Sequence, residues 1–235
     1  MTKIIIYLLV LTTLLLFIYN LFRNNKVEHF KKKELFFIHI PKNAGTSLEN
    51  TAEKYNILWG AEKYNILWGK KYFKNNNYQL NIDIPKKNNL WHIPPKYFGD
   101  NTYNGKILFA IVRNPYERII SEFKYRVLKC NDINKFIKKN LGIYKKNKFI
   151  LDSHFIPQSE FIYGNPPCNE ILRFENLKED FEKLMKKYNY PKMKLLNHNK
   201  SIEKTITIKN LNKKSINLIN EVYKEDFKNF GYKML

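Results

Sequence analysis

Phe37-Ile-His-Ile-Pro-Lys-Asn-Ala-Gly-Thr-Ser47 carries an apolar run through a one-glycine turn into a helical start. The run from 34 to 40, Glu-Leu-Phe-Phe-Ile-His-Ile, has the near-continuous apolar character of a strand buried on both faces. The spacing predicts a helix opening at Ser47-Leu-Glu-Asn. Such a start aims unpaired N–H groups and the positive end of the helix dipole into the turn. Lys42 adds a mobile cation, and Thr46 and Ser47 add hydroxyl donors. This is the chemistry of a phosphate site.

A second stretch, Phe109-Ala-Ile-Val-Arg-Asn-Pro-Tyr-Glu-Arg-Ile-Ile-Ser121, repeats the arrangement with different side chains. Residues 106–112 form another buried-strand run, and Arg113 stands at its carboxyl end. Asn114 suits a helix cap and Pro115 a first turn. Ser121 is one turn beyond Glu117 on the predicted helix, so Arg113 and Ser121 can grip one anion from two sides. A nucleotide triphosphatase P-loop is the rival for the first loop, but it needs its lysine after the second glycine. Here Lys42 precedes Gly45, the only glycine of the loop.

Together the two stretches resemble the cofactor loops of sulfotransferases that use 3′-phosphoadenosine 5′-phosphosulfate (PAPS). Residues 41–47 are similar to the 5′-phosphosulfate loop, and Arg113 with Ser121 to the 3′-phosphate site. The likeness is greatest to membrane-anchored carbohydrate sulfotransferases. It extends through Leu90-Trp-His-Ile-Pro94, His154-Phe-Ile-Pro-Gln158, Ile171-Leu-Arg-Phe-Glu-Asn-Leu177 and Glu225-Asp-Phe-Lys-Asn-Phe-Gly-Tyr232, covering most of 34–235. The resemblance implies an α/β fold, a central parallel sheet flanked by helices of the P-loop-like sulfotransferase type, and PAPS as sulfonate donor. It assigns Lys42, Asn43, Ala44, Gly45, Thr46 and Ser47 to the 5′ side of the donor. Lys200 and Ser201 fall where related enzymes close a loop over it, although a polar surface turn suits them too.

Sulfonate transfer needs an in-line approach, a stabilised leaving oxygen and a base for the acceptor hydroxyl, with less charge to neutralise than phosphoryl transfer and so no obligatory metal. Lys42 is the candidate for the leaving oxygen. A base neutral near pH 7 favours histidine. His92 matches the position of the catalytic histidine in similar glycan sulfotransferases, with Glu49 and His154 in reserve. His39, inside the predicted strand, is expected to be a core residue, His29 falls in the stem, and Glu175 is expected to be a carboxylate favoured by the dipole of its own helix.

Residues 4–22 are uncharged and mostly apolar; as a helix they would span roughly 28 Å, close to a bilayer's hydrocarbon thickness. No small-residue cleavage site follows, so the expectation is an uncleaved anchor over 1–22, a stem over 23–33 and one catalytic domain over 34–235. Lys3 stands before the span, whereas Arg23, Lys26 and Lys31-Lys-Lys33 follow it. By charge alone the domain would face the cytoplasm; the resemblance implies a single-pass type II enzyme facing a Golgi-like lumen. The net charge of +21 suits an anionic glycan, an anionic membrane or nucleic acid, and no nucleic-acid motif accompanies it.

The strands at 34–40, 106–112 and 170–174 alternate with helical patterns, the signature of a parallel sheet. Ile216, Ile219, Tyr223, Phe227 and Phe230 recur at helical spacing before Gly231 and are expected in the core. Ala-Glu-Lys-Tyr-Asn-Ile-Leu-Trp-Gly occupies 52–60 and recurs unchanged at 61–69, a local duplication in which one copy is expected to pack and the other to extrude. Cys130 and Cys168 are too few for a zinc cluster; they form either a bridge in an oxidising lumen or two free thiols. Two other readings fit an anchored basic chain: a type II glycosyltransferase, whose usual Asp-x-Asp triplet does not occur here, and an inactive glycan-binding protein.

Overall fold

In the computed structural model, strands β1 (Glu34–Ile38), β2 (Lys106–Val112) and β3 (Glu170–Arg173) form a parallel sheet in the order β1-β2-β3. Residues 34–55, 80–86, 88–99, 101–126, 132–196 and 206–235 are described. Phe109 lies opposite Glu170 and Val112 opposite Arg173, so the carboxyl ends of β2 and β3 finish together.

Alternate residues of each strand enter opposite cores, which is why the strands are apolar throughout. Phe36, Ile38, Leu108, Ala110 and Val112 enter one core; Leu35, Phe37, Phe109, Ile111 and Leu172 enter the other. The first core is covered by α2 (Pro115–Arg126), α3 (Ile133–Tyr144), α4 (Gln158–Ile162), α6 (Lys213–Val222) and α7 (Lys224–Phe230), and the second by α1 (Gly45–Lys54) and α5 (Leu177–Lys187). This is the expected α/β sheet with helices on both faces.

Three boundaries differ from expectation. β1 ends at Ile38, two residues before the predicted end, because the chain already turns: Asn43 N–H donates to Ile40 O at 3.4 Å. α1 begins at Gly45, ahead of Ser47. The C-terminal apolar period spans two helices that meet at Tyr223; its aromatics are in the core as expected, and Gly231 (φ 66°) supplies the left-handed stop.

The expected anchor and stem, the second copy of the duplication and Cys130 lie outside the described residues. Among the described residues no helix is long and apolar enough to cross a membrane. Cys168 is a free thiol whose Sγ lies 3.7 Å from Phe161 O.

Candidate active site

The turn after β1 is built from two left-handed residues, Lys42 (φ 70°) and Ala44 (φ 64°), and a buried asparagine. Asn43 Nδ2 donates to Ile111 O and to Gln158 Oε1, both at 2.6 Å, fastening the turn to the end of β2. Gly45 is required by close approach: an added Cβ would lie 2.5 Å from His39 Cε1 and 2.9 Å from its Cδ2. The amides of Gly45 and Thr46 open the helix and have no partner within it. Thr46 is exposed at this end, while Ser47 is buried and its carbonyl accepts from Thr51 Oγ1 at 2.7 Å.

Arg113 follows β2 with its backbone clamped by Gln158, which accepts from Arg113 N–H and donates to Arg113 O, each at 2.8 Å. Gln158 is itself fixed by the buried Asp226, which accepts from its backbone N–H at 2.8 Å. The Arg113 guanidinium lies 3.9 Å over Phe174, and its NH1 donates to Lys42 O at 3.3 Å, joining the two loops. Its Nε is buried and has no acceptor among the described residues. Among the described residues its ion pair is with Glu117, whose carboxylate stands 3.8 Å from NH2 and is 42% exposed. Burial pulls the pKa of Arg113 down from its ordinary value. Asn114 caps α2 as expected, its Oδ1 accepting from Tyr116 N–H at 3.0 Å. Ser121 is half-buried on α2, one turn beyond Glu117.

Glu175 stands in the first turn after β3, as expected, and its carboxylate also accepts from Asn114 N–H at 2.9 Å and from Tyr232 Oη at 2.9 Å, bracing the start of α2. His39, expected inside a strand, lies just past its end, with Nδ1 2.6 Å from Glu49 Oε1 but not aligned as a hydrogen bond.

His39 begins a row of three imidazoles. His92, at the end of a short 3₁₀ turn (Leu90–His92), meets His39 edge-on at a 4.9 Å centroid distance and meets His154 in the same way at 4.9 Å. His92 Nδ1 is 2.8 Å from Asp152 Oδ2, and His154 Nδ1 is 2.8 Å from Glu122 Oε2. Burial drives His92 down to about 3 against the pull of Asp152, and burial also lowers His154 against Glu122. Both rings are therefore neutral near pH 7. Burial would raise Glu122, but the hydrogen bond from His154 and the charge of Arg126 outweigh it and hold the carboxylate at about 2.

Lys42 closes the cluster, its Nζ 3.8 Å over the Tyr125 ring, which in turn stacks near His154. Burial lowers its pKa, and Glu122 opposes that. Beneath lies Arg118, 2% exposed, whose guanidinium donates to Pro41 O at 3.1 Å, Ile156 O at 3.0 Å and His154 O at 2.9 Å. His92, Asp152 and His154 each offer a donor atom within 4.8 Å of the others, a set that could hold a metal ion. A hydrogen bond through Nδ1 already joins His92 to Asp152.

Residues 42–47 and Arg113 thus meet at the carboxyl edge of the sheet, where open α/β folds bind ligands, and His92 reaches the same edge through His39. Lys200 and Ser201 lie outside the described residues. Asp152, Glu122, Gln158, Asp226 and Arg118 carried no role in the sequence reading, and the structure makes Arg118 an internal strut.

The model of the sulfotransferase family matches residues 28–233. No curated protein and no solved structure matches the chain.

Proposed function

The chain belongs to the sulfotransferase family, and we propose that it transfers a sulfonate group from PAPS to a carbohydrate hydroxyl. The observation that carries the donor reading is Arg113. A guanidinium cemented to both loops, yet with a buried Nε lacking any acceptor among the described residues, is a desolvated cation that an anion would satisfy. When bound, PAPS supplies a sulfonate already attached to a phosphate leaving group.

In this reading the first amides of α1 and the Thr46 hydroxyl hold the 5′-phosphate, with Asn43, Ala44, Gly45 and Ser47 shaping the turn. Arg113 and Ser121 hold the 3′-phosphate, and Lys200 and Ser201 close over the donor. Lys42, partly desolvated, places its charge on the leaving oxygen, where a buried cation acts more strongly than in water. His92 takes the acceptor's proton at Nε2, because a carboxylate on Nδ1 leaves the lone pair there. No resident metal enters this scheme.

The net charge of +21 supports an anionic glycan acceptor, and the apolar run at 4–22 supports a membrane-anchored, lumen-facing type II enzyme. Titration calorimetry of the full chain with desulfated PAPS product in a metal chelator should show saturable binding. Preferential binding of ATP with Mg²⁺ would overturn the donor assignment.

A further inference from the structure

The turn between α3 and α4 contains three consecutive left-handed residues, none of them glycine: Leu151 (φ 47°), Asp152 (φ 61°) and Ser153 (φ 65°). This conformation is disfavoured for any residue with a Cβ and survives only where its surroundings over-determine it. They do so here. Arg126 donates to Leu151 O at 2.8 Å, and Asn88 Nδ2 donates to Ser153 Oγ at 3.0 Å and Phe149 O at 2.8 Å. Asn89 gives Asp152 two bonds, from its N–H to Oδ1 at 2.6 Å and from Nδ2 to Oδ2 at 2.5 Å. The product of this strain is one carboxylate delivered 2.8 Å from His92 Nδ1.

We infer that Asp152 is the positioning residue of the catalytic base, fixing the His92 imidazole in the tautomer whose Nε2 lone pair faces the acceptor hydroxyl. This deepens the reaction proposed above and rests on it. A carboxylate only accepts, so with Asn89 N–H, Asn89 Nδ2 and His92 Nδ1 converging on it, Nδ1 must carry the proton. An amide in the same place offers one oxygen to these three donors. With that oxygen on Asn89 N–H, its NH₂ faces His92, makes Nδ1 the acceptor and moves the proton to Nε2, where it blocks the base.

The test is ¹⁵N NMR of the ring nitrogens in the full chain, with the His92 signals assigned by their loss in His92→Gln. Wild type should show a single Nδ1–H tautomer at neutral pH, and Asp152→Asn a population of Nε2–H. In parallel, Asp152→Asn should lower kcat roughly 10²- to 10⁴-fold while acceptor KM and donor-product Kd stay within about threefold. Asn89→Ala, which removes one donor and keeps the carboxylate, should retain the Nδ1–H signal. The wild-type tautomer is read without turnover, with His92→Gln serving only to assign the signal, so a wrong reaction and a wrong positioning residue are told apart. An Nε2–H tautomer in wild type would overturn the inference. So would unchanged kcat in Asp152→Asn, or stoichiometric zinc on the purified chain that this substitution releases.

Discussion

Two histidine–carboxylate pairs face each other across 4.9 Å, and they are built to different ends. In the His154 pair, Glu122 is 2% exposed, is also bound by Arg126 Nε, and the His154 carbonyl is held by Arg118. These bonds knit α2 to the segment before α4. In the His92 pair, Asp152 is 23% exposed and sits on a strained turn. Strain stored where burial is incomplete gains little stability, and such turns cluster at functional sites. In the proposed reaction the same chemical pair is a strut in one place and a working group in the other, and the backbone differs between them.

The sharpest way to break this comparison is kinetic. His92→Ala should lower kcat about 10²–10⁴-fold, the usual worth of a positioned general base, with donor binding nearly unchanged. Lys42→Ala should also act on kcat, but it should remain harmful with an acidic phenol acceptor, whereas such an acceptor should partly rescue His92→Ala. His154→Ala should change kcat by less than about tenfold. If His154→Ala shows the large loss and the rescue, the two pairs have been assigned the wrong way round.

Next in size is the anion site beside the pairs. Arg113→Ala should weaken binding of the desulfated donor product by about 2–4 kcal/mol, roughly 30- to 1,000-fold, for the loss of a charge-assisted contact. Calorimetry checks it, and an unchanged Kd would remove Arg113 from the donor site.

Much of this was legible in the sequence. β2 and the cap of α2 follow from an apolar run and from Asn114-Pro115, because those signals are local. His92 emerged through a motif resemblance and the need for a neutral base. Asp152 could not be read, since it meets His92 across 60 positions and the turn presenting it has no glycine to announce positive φ. Arg118 was visible as a charge on α2, but its inward direction depends on three carbonyls supplied by distant segments. Gly45 was read as turn chemistry, whereas the cause is the imidazole of His39 against it.

The strut side of the comparison is sharpened by Glu122→Gln. Its carboxylate accepts from both His154 Nδ1 and Arg126, and an amide must turn its NH₂ toward one of these donors. The expected cost is about 1–3 kcal/mol of stability, read from the urea midpoint at pH 7.5. A variant as stable as wild type would mean that the pair carries no structural load.

The smallest effect follows from both rings being buried and neutral. The His92 pKa falls from 6.5 unfolded to about 3 folded, lowered by burial and by the neighbouring His39 and His154 against the opposing pull of Asp152. Between those values the unfolded chain binds a proton that the folded chain refuses, so stability is full above pH 6.5 and is lost as pH falls toward 3. From pH 7.5 to 5.5 the loss from His92 is about 1.4 kcal/mol, with His154 adding to it in the same direction. Urea unfolding at the two pH values should show it, and His92→Gln should flatten the dependence by the His92 share. If stability does not fall over this interval, the rings are charged in the folded protein, and the premise that His92 stands ready as a neutral base is wrong.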